Sequence, residues 1–117
     1  MASEVLYQGV EPDGVQVTFG SPDATGNFCA WHGLNVLLVR NNNGTLSRTV
    51  TVDNFVPCTY DPDPSIHDEA VVVAANSIAA INIGEARFKD DQKRVNWTYS
   101  DAAADLEVAV IRRADKS

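Results

Sequence analysis

An all-β domain is the fold class this sequence predicts, an antiparallel β-sandwich of jelly-roll or immunoglobulin-like type or a small β-barrel, with about seven strands. Three observations predict it. Apolar and β-branched side chains recur at every second position, as in Arg94-Val95-Asn96-Trp97-Thr98-Tyr99 and Leu106-Glu107-Val108-Ala109-Val110-Ile111-Arg112. A period of two marks a pleated strand with one buried face. Such runs return at roughly twelve-residue spacing, separated by turn residues, and no segment carries the 3.6-residue periodicity of a long helix.

The strands are placed in order. Val15–Phe19 alternates cleanly. Asn35–Val39 is almost continuously apolar, which suits a central strand covered on both faces. Thr49–Asp53 alternates with its valines on one face, and Ala70–Ala74 and Ile78–Ile83 follow, broken by Asn76-Ser77. The runs at 94–99 and 106–112 close the set.

Between them lie turn residues with specific mechanisms. Asn41-Asn42-Asn43-Gly44 tolerates positive φ and predicts a hairpin. Glu11-Pro12-Asp13-Gly14 predicts a type I or II turn. Gly20–Asn27 reads as a longer loop. Tyr60-Asp61-Pro62-Asp63-Pro64 is stiff, because each proline also restricts its predecessor, and it cannot continue a central strand. Helical signal is confined to Ala102-Ala103-Ala104, too short to stand alone, and to one turn near Gly84–Phe88. Residues 1–14 form an N-terminal arm, 15–113 a single β domain and 114–117 a tail.

Composition limits the function. A chain of 117 residues with 44% hydrophobic content buries roughly 65% of its unfolded surface, enough for one core without staples. The formal net charge of −7 repels phosphate backbones and anionic lipid, so neither nucleic acid nor a membrane is an expected partner. No apolar run reaches the roughly 20 residues that span a bilayer. Met1-Ala2-Ser3-Glu4-Val5 has no basic region followed by an apolar one, so cytoplasmic synthesis is expected. Under reducing conditions Cys29 and Cys58 are expected as free thiols. The sequons at Asn43 and Asn96 read as chance matches.

No reaction centre is legible. Cys29 and His32 lie three apart in an extended segment and therefore point to opposite faces, unlike a nucleophile–base pair. The acidic loop Asp61, Asp63, His67, Asp68, Glu69 offers oxygens to a hard cation, but its prolines break the alternating ligand spacing of a calcium loop and it lacks a zinc pattern. It reads as a solvated or partner-contacting loop, with no metal, no cofactor and no enzymatic activity expected. Trp97 and Tyr99 share a strand face, which suits a sugar-stacking platform or, more simply, a core. Partner contacts are expected from exposure and charge at Ser3, Glu4, Val5, Leu6 and Tyr7 of the arm, at Asp61, Asp63, His67, Asp68 and Glu69, and at Arg112 and Arg113 past the last strand. The arm is also suited to supply or cover a free sheet edge, since unpaired edges invite association.

The order of motifs carries a resemblance. Ala24-Thr25-Gly26-Asn27-Phe28 precedes the apolar Leu37-Leu38-Val39-Arg40-Asn41-Asn42; Thr49-Val50-Thr51-Val52, Phe88-Lys89-Asp90 and Val95-Asn96-Trp97-Thr98-Tyr99-Ser100 follow. Over residues 15–112 the chain resembles small β-rich structural proteins encoded beside the major capsid gene of tailed bacteriophages. The resemblance implies a non-enzymatic virion component, most simply a capsid decoration (cement) protein made in the host cytoplasm and bound on the capsid surface. Its partner would be the major capsid protein, and it would bind as a homo-oligomer, for instance a trimer about a local symmetry axis. A head–tail connector or tail component and a carbohydrate-binding or adhesin module are the alternatives.

Overall fold

A computed structural model describes residues 3–10, 14–55, 68–100 and 105–113. Nine strands are present among them: β1 Ser3–Glu4, β2 Tyr7–Val10, β3 Asn27–Ala30, β4 Asn35–Asn41, β5 Arg48–Val52, β6 Glu69–Val73, β7 Ser77–Asn82, β8 Arg94–Tyr99 and β9 Leu106–Arg113. They form a five-stranded sheet, β1-β3-β8-β5-β6, and a four-stranded sheet, β2-β9-β4-β7. The two pack face to face as a β-sandwich, the predicted class. Pairing is antiparallel except where the arm joins: β1 runs parallel to β3, and β2 parallel to β9.

The period of two decides what goes inside. In β4 the alternate residues Asn35, Leu37, Val39 and Asn41 are buried, while Val36, Leu38 and Arg40 face outward half-exposed. Val50 and Val52 of β5, Val95 and Trp97 of β8, and Leu106, Val108 and Val110 of β9 meet them between the sheets. Fully burying each aliphatic side chain contributes about 1.5–3 kcal/mol, so a one-residue register slip in any of these strands is prohibitive. Phe88 closes one end of this core from the 3-10 turn Ala86–Phe88, where one helical turn was expected.

Several expectations are corrected. Val15–Phe19 is not a strand; only Gly20 reaches the sheet, exchanging two 2.8 Å backbone hydrogen bonds with Val108. Two causes are visible. The arm strand β2 occupies the edge of β9 over Val110–Arg113, and the Gln8 side chain takes both backbone groups of Thr18, accepting from its N–H at 2.9 Å and donating to its C=O at 2.8 Å.

Asn41–Gly44 is likewise no hairpin. β4 already has β7 and β9 as neighbours, so the chain crosses to the other sheet before β5. Asparagine side chains hold that crossing: Asn41 Oδ1 accepts from the Asn43 N–H, and Asn41 Nδ2 donates to Leu46 O and Val73 O. The closing runs, β8 and β9, also lie in different sheets. Of the seven ladders, β5–β6 alone joins strands adjacent in sequence. β3, within a segment read as loop and extended chain, is a strand paired with β8. The turn at 11–13 and the Ala102–Ala104 stretch lie outside the described residues.

Candidate partner-contacting surface

The arm is stitched to both sheets rather than hanging from one. Ser3 and Glu4 extend the first sheet, Val5 and Leu6 cross the side of the sandwich, and Tyr7–Val10 extend the second. The Val5 N–H donates to Phe28 O at 2.8 Å, and the Val5 side chain packs on the core. Alternation then throws Leu6 outward, where it is 75% exposed, the largest apolar exposure among the described residues. Tyr7 is half-exposed, with the Arg112 guanidinium stacked 3.6 Å from its ring centroid. Arg112 is aimed by donation from its Nε to Asn35 Oδ1 at 2.8 Å. A cation over an aromatic face adds about 0.5–1 kcal/mol at an exposed site and fixes the ring plane.

Beneath the arm sits a buried polar junction. Asn27, 3% exposed, donates from Nδ2 to Ser3 O at 3.0 Å; its Oδ1 accepts from the Asp23 N–H at 3.0 Å and from the Tyr99 hydroxyl at 2.5 Å. That hydroxyl in turn accepts from Trp97 Nε1 at 2.9 Å. Gly26, at φ +108, is required there, because a Cβ would stand 2.7 Å from Trp97 O. The Asp23 carboxylate accepts from the Ser3 hydroxyl and from Thr25 N–H and Oγ1, and these bonds hold its pKa down to about 2. Between the arm and residues 18–21 an open groove of about 300 Å³ remains, lined by Glu4, Val5, Gln8, Phe19 and Ser21 among others.

The predicted contact residues separate into two groups. The structure brings Tyr7 and Arg112 together, with Ser3–Leu6 running beside them. Arg113 occupies a strand position opposite Val10. Asp68 and Glu69 lie elsewhere: Glu69 opens β6, at the opposite edge of the first sheet from β1. Glu69 pairs with Arg87 at 3.0 Å, and the Asp68 carboxylate accepts from the Asn54 N–H at 2.8 Å. Asp61, Asp63 and His67 lie outside the described residues.

The chemistry of the remaining candidates is quiet. Cys29 is a free, buried thiol whose pKa burial pushes up to about 12, far from a thiolate nucleophile. His32 Nδ1 accepts from the Leu34 N–H at 3.1 Å, and the Cys29 sulfur accepts from Asn35 Nδ2 at 4.0 Å. Cys58 lies outside the described residues. No cluster of three or more metal-ligating side chains occurs among the described residues. Trp97 is 1% exposed and has no face to offer a sugar.

Two features escape sequence reasoning. Asn27 sits in a run that looks like loop, and no pattern distinguishes a buried hub asparagine from a turn asparagine. Val72 and Ile78 are as apolar as core residues yet are 65% and 56% exposed; they stand on the outward faces of β6 and β7, opposite in phase to the buried Val73 and Ile81, and in such apolar runs composition does not say which phase faces in. Comparison with protein-family models, curated proteins and solved structures gave no match.

Proposed function

We propose that the protein is a non-enzymatic structural component of a phage virion, a decoration protein that binds the major capsid protein and stabilises the head lattice as a homo-oligomer. The observation that carries this reading is the arm: it presents a three-quarters exposed leucine and a half-exposed tyrosine on backbone tied to both sheets. Apolar side chains held on ordered backbone bind a partner without a large ordering cost. The ordered motifs from Gly26-Asn27-Phe28 to Tyr99-Ser100 support the head-protein assignment by resemblance, and the net charge of −7 suits a protein that must stay dispersed before assembly.

The test is cosedimentation of purified protein with expanded capsids that lack it. Binding is expected, with capsids more resistant to heat. Leu6→Ser should weaken binding at least about tenfold, as loss of an anchoring side chain does, while leaving the melting temperature unchanged, because Leu6 contributes little to the core. Absence of binding, or unaltered binding by the variant, refutes the reading.

A further inference from the structure

The arm closes one side of the sandwich; among the described residues the other side is left open. There β6 is the last strand of the first sheet and β7 the last of the second, consecutive in the chain and joined by Ala74–Asn76. Among the described residues β6 pairs only with β5, and β7 only with β4. Each strand therefore presents one backbone edge unpaired among the described residues, and the two edges lie side by side along one wall.

Soluble proteins guard such edges with charges, prolines or bulges. Past Glu69, which opens β6, this wall has none of them. From Ala70 to Gly84 the chain carries no charged residue and no proline, although 21% of all residues are charged. The flanking acids, Glu69 and Glu85, are both held by one guanidinium, with Arg87 at 3.0 Å and 2.9 Å. Outward from the wall stand Ala70 and Val72 on one sheet, Ile78 and Ala80 on the other, all exposed. A molecule of charge −7 repels its own copy over most of its surface, and this wall is where that repulsion is locally absent.

We infer that the β6–β7 wall is a self-association surface, in which a second copy of this chain pairs β6 with β6 and β7 with β7 across a two-fold axis perpendicular to the sheets. The occupant follows from the geometry. A single foreign strand satisfies one edge and leaves the other bare. Two antiparallel edges at sandwich spacing are matched by the same wall rotated by half a turn, which extends both sheets at once. In that arrangement outward residues face outward residues, so Ile78 lies beside the partner's alanine-rich strand with no like charges opposed. The arm stays free on the far side, so the inference stands apart from head attachment and holds or fails without it.

Sedimentation equilibrium of the full chain from about 1 µM to about 1 mM, the range of moderate to weak association, is expected to give a species of twice the 12.7 kDa monomer mass. Ile78→Lys combined with Ala80→Lys, at exposed positions the monomer tolerates, should raise the dissociation constant at least about tenfold with the melting profile of the monomer retained. Amide exchange supplies a readout that needs no variant: protection in 69–73 and 77–82 should rise with concentration in the unaltered protein. A monomer throughout the range, a trimeric mass, a dimer unmoved by the folded double variant, or exchange in both strands indifferent to concentration would each overturn the inference.

Discussion

Replacing Tyr99 by phenylalanine removes one oxygen atom from the junction under the arm, and its cost can be worked from that junction. The hydroxyl accepts from Trp97 Nε1 at 2.9 Å and donates to Asn27 Oδ1 at 2.5 Å. Asn27 Oδ1 keeps a second donor, the Asp23 N–H. The indole N–H does not: Trp97 is 1% exposed, and no other acceptor is assigned to it. Two lost bonds at about 1 kcal/mol each, with a stranded buried donor at about 1–3 kcal/mol overlapping the first, bring the loss to about 2–3 kcal/mol. For 117 residues, about 2.1 cal/mol/K each gives an unfolding entropy near 0.25 kcal/mol/K, so the melting temperature should fall by about 8–12 °C. Thermal unfolding followed by tryptophan fluorescence measures this. The cycle with Trp97→Phe should show coupling of at least about 0.5 kcal/mol, since the two residues share one bond. A loss below about 0.5 kcal/mol would refute the junction as a stabilising element.

Three further outcomes are expected. Gly84→Ala should destabilise by about 1–3 kcal/mol, towards the upper end, because its Cβ would meet Gly33 O at 2.2 Å and backbone yields less than a side chain; denaturant midpoints measure it. Asp53→Asn should stabilise the protein at neutral pH by less than about 1 kcal/mol, given how exposed the group remains. Burial first, then the Asp68 carboxylate, raise the Asp53 pKa above its ordinary 3.8, so the penalty on the fold builds as pH rises past the ordinary value and is complete above the raised one. The gain should vanish as pH falls below about 4, and a gain that persisted in acid would contradict the cause given. Cys29, buried with its pKa near 12, should resist a thiol reagent at pH 8 until the domain unfolds; peptide mapping of labelled protein reads its rate, and rapid native labelling would show the thiol to be accessible.

What was legible in the sequence was whatever depended on period and composition. β5 and β9 alternate so regularly that their positions follow from side-chain pattern alone, and Trp97 was assigned to the core on the same ground; β4 was placed by its continuous apolar run, but it is buried on one face only, with Val36 and Leu38 half-exposed on the other. Pairing was not legible. The Asn41–Gly44 segment has hairpin chemistry, but hairpin formation needs β4 to have a vacant side, and β7 and β9 occupy both. Val15–Phe19 has the alternation of a strand, yet a strand exists only if an edge is available, and β2 holds the one beside it. The same dependence explains the site. Tyr7 and Arg112 were both marked as contact residues, but their stacking follows from the register Gly9↔Arg112, which no local pattern encodes. Asp68 and Glu69 were grouped with them by exposure, and strand order sends them to the far edge.

The parallel ladder between β2 and β9 has a temporal consequence. It joins Tyr7 to Val110 and Val10 to Arg113, so β2, the second strand in chain order, is seated against β9, the last of the nine described strands. During synthesis the early segment has no template until roughly a hundred further residues have emerged, and contacts of such separation form late. Leu6 and Tyr7 reach their display geometry only when the domain is otherwise complete. A nascent chain therefore lacks β2 and the stack of Arg112 on Tyr7, and the register of two short strands ties that exposed surface to a completed sandwich.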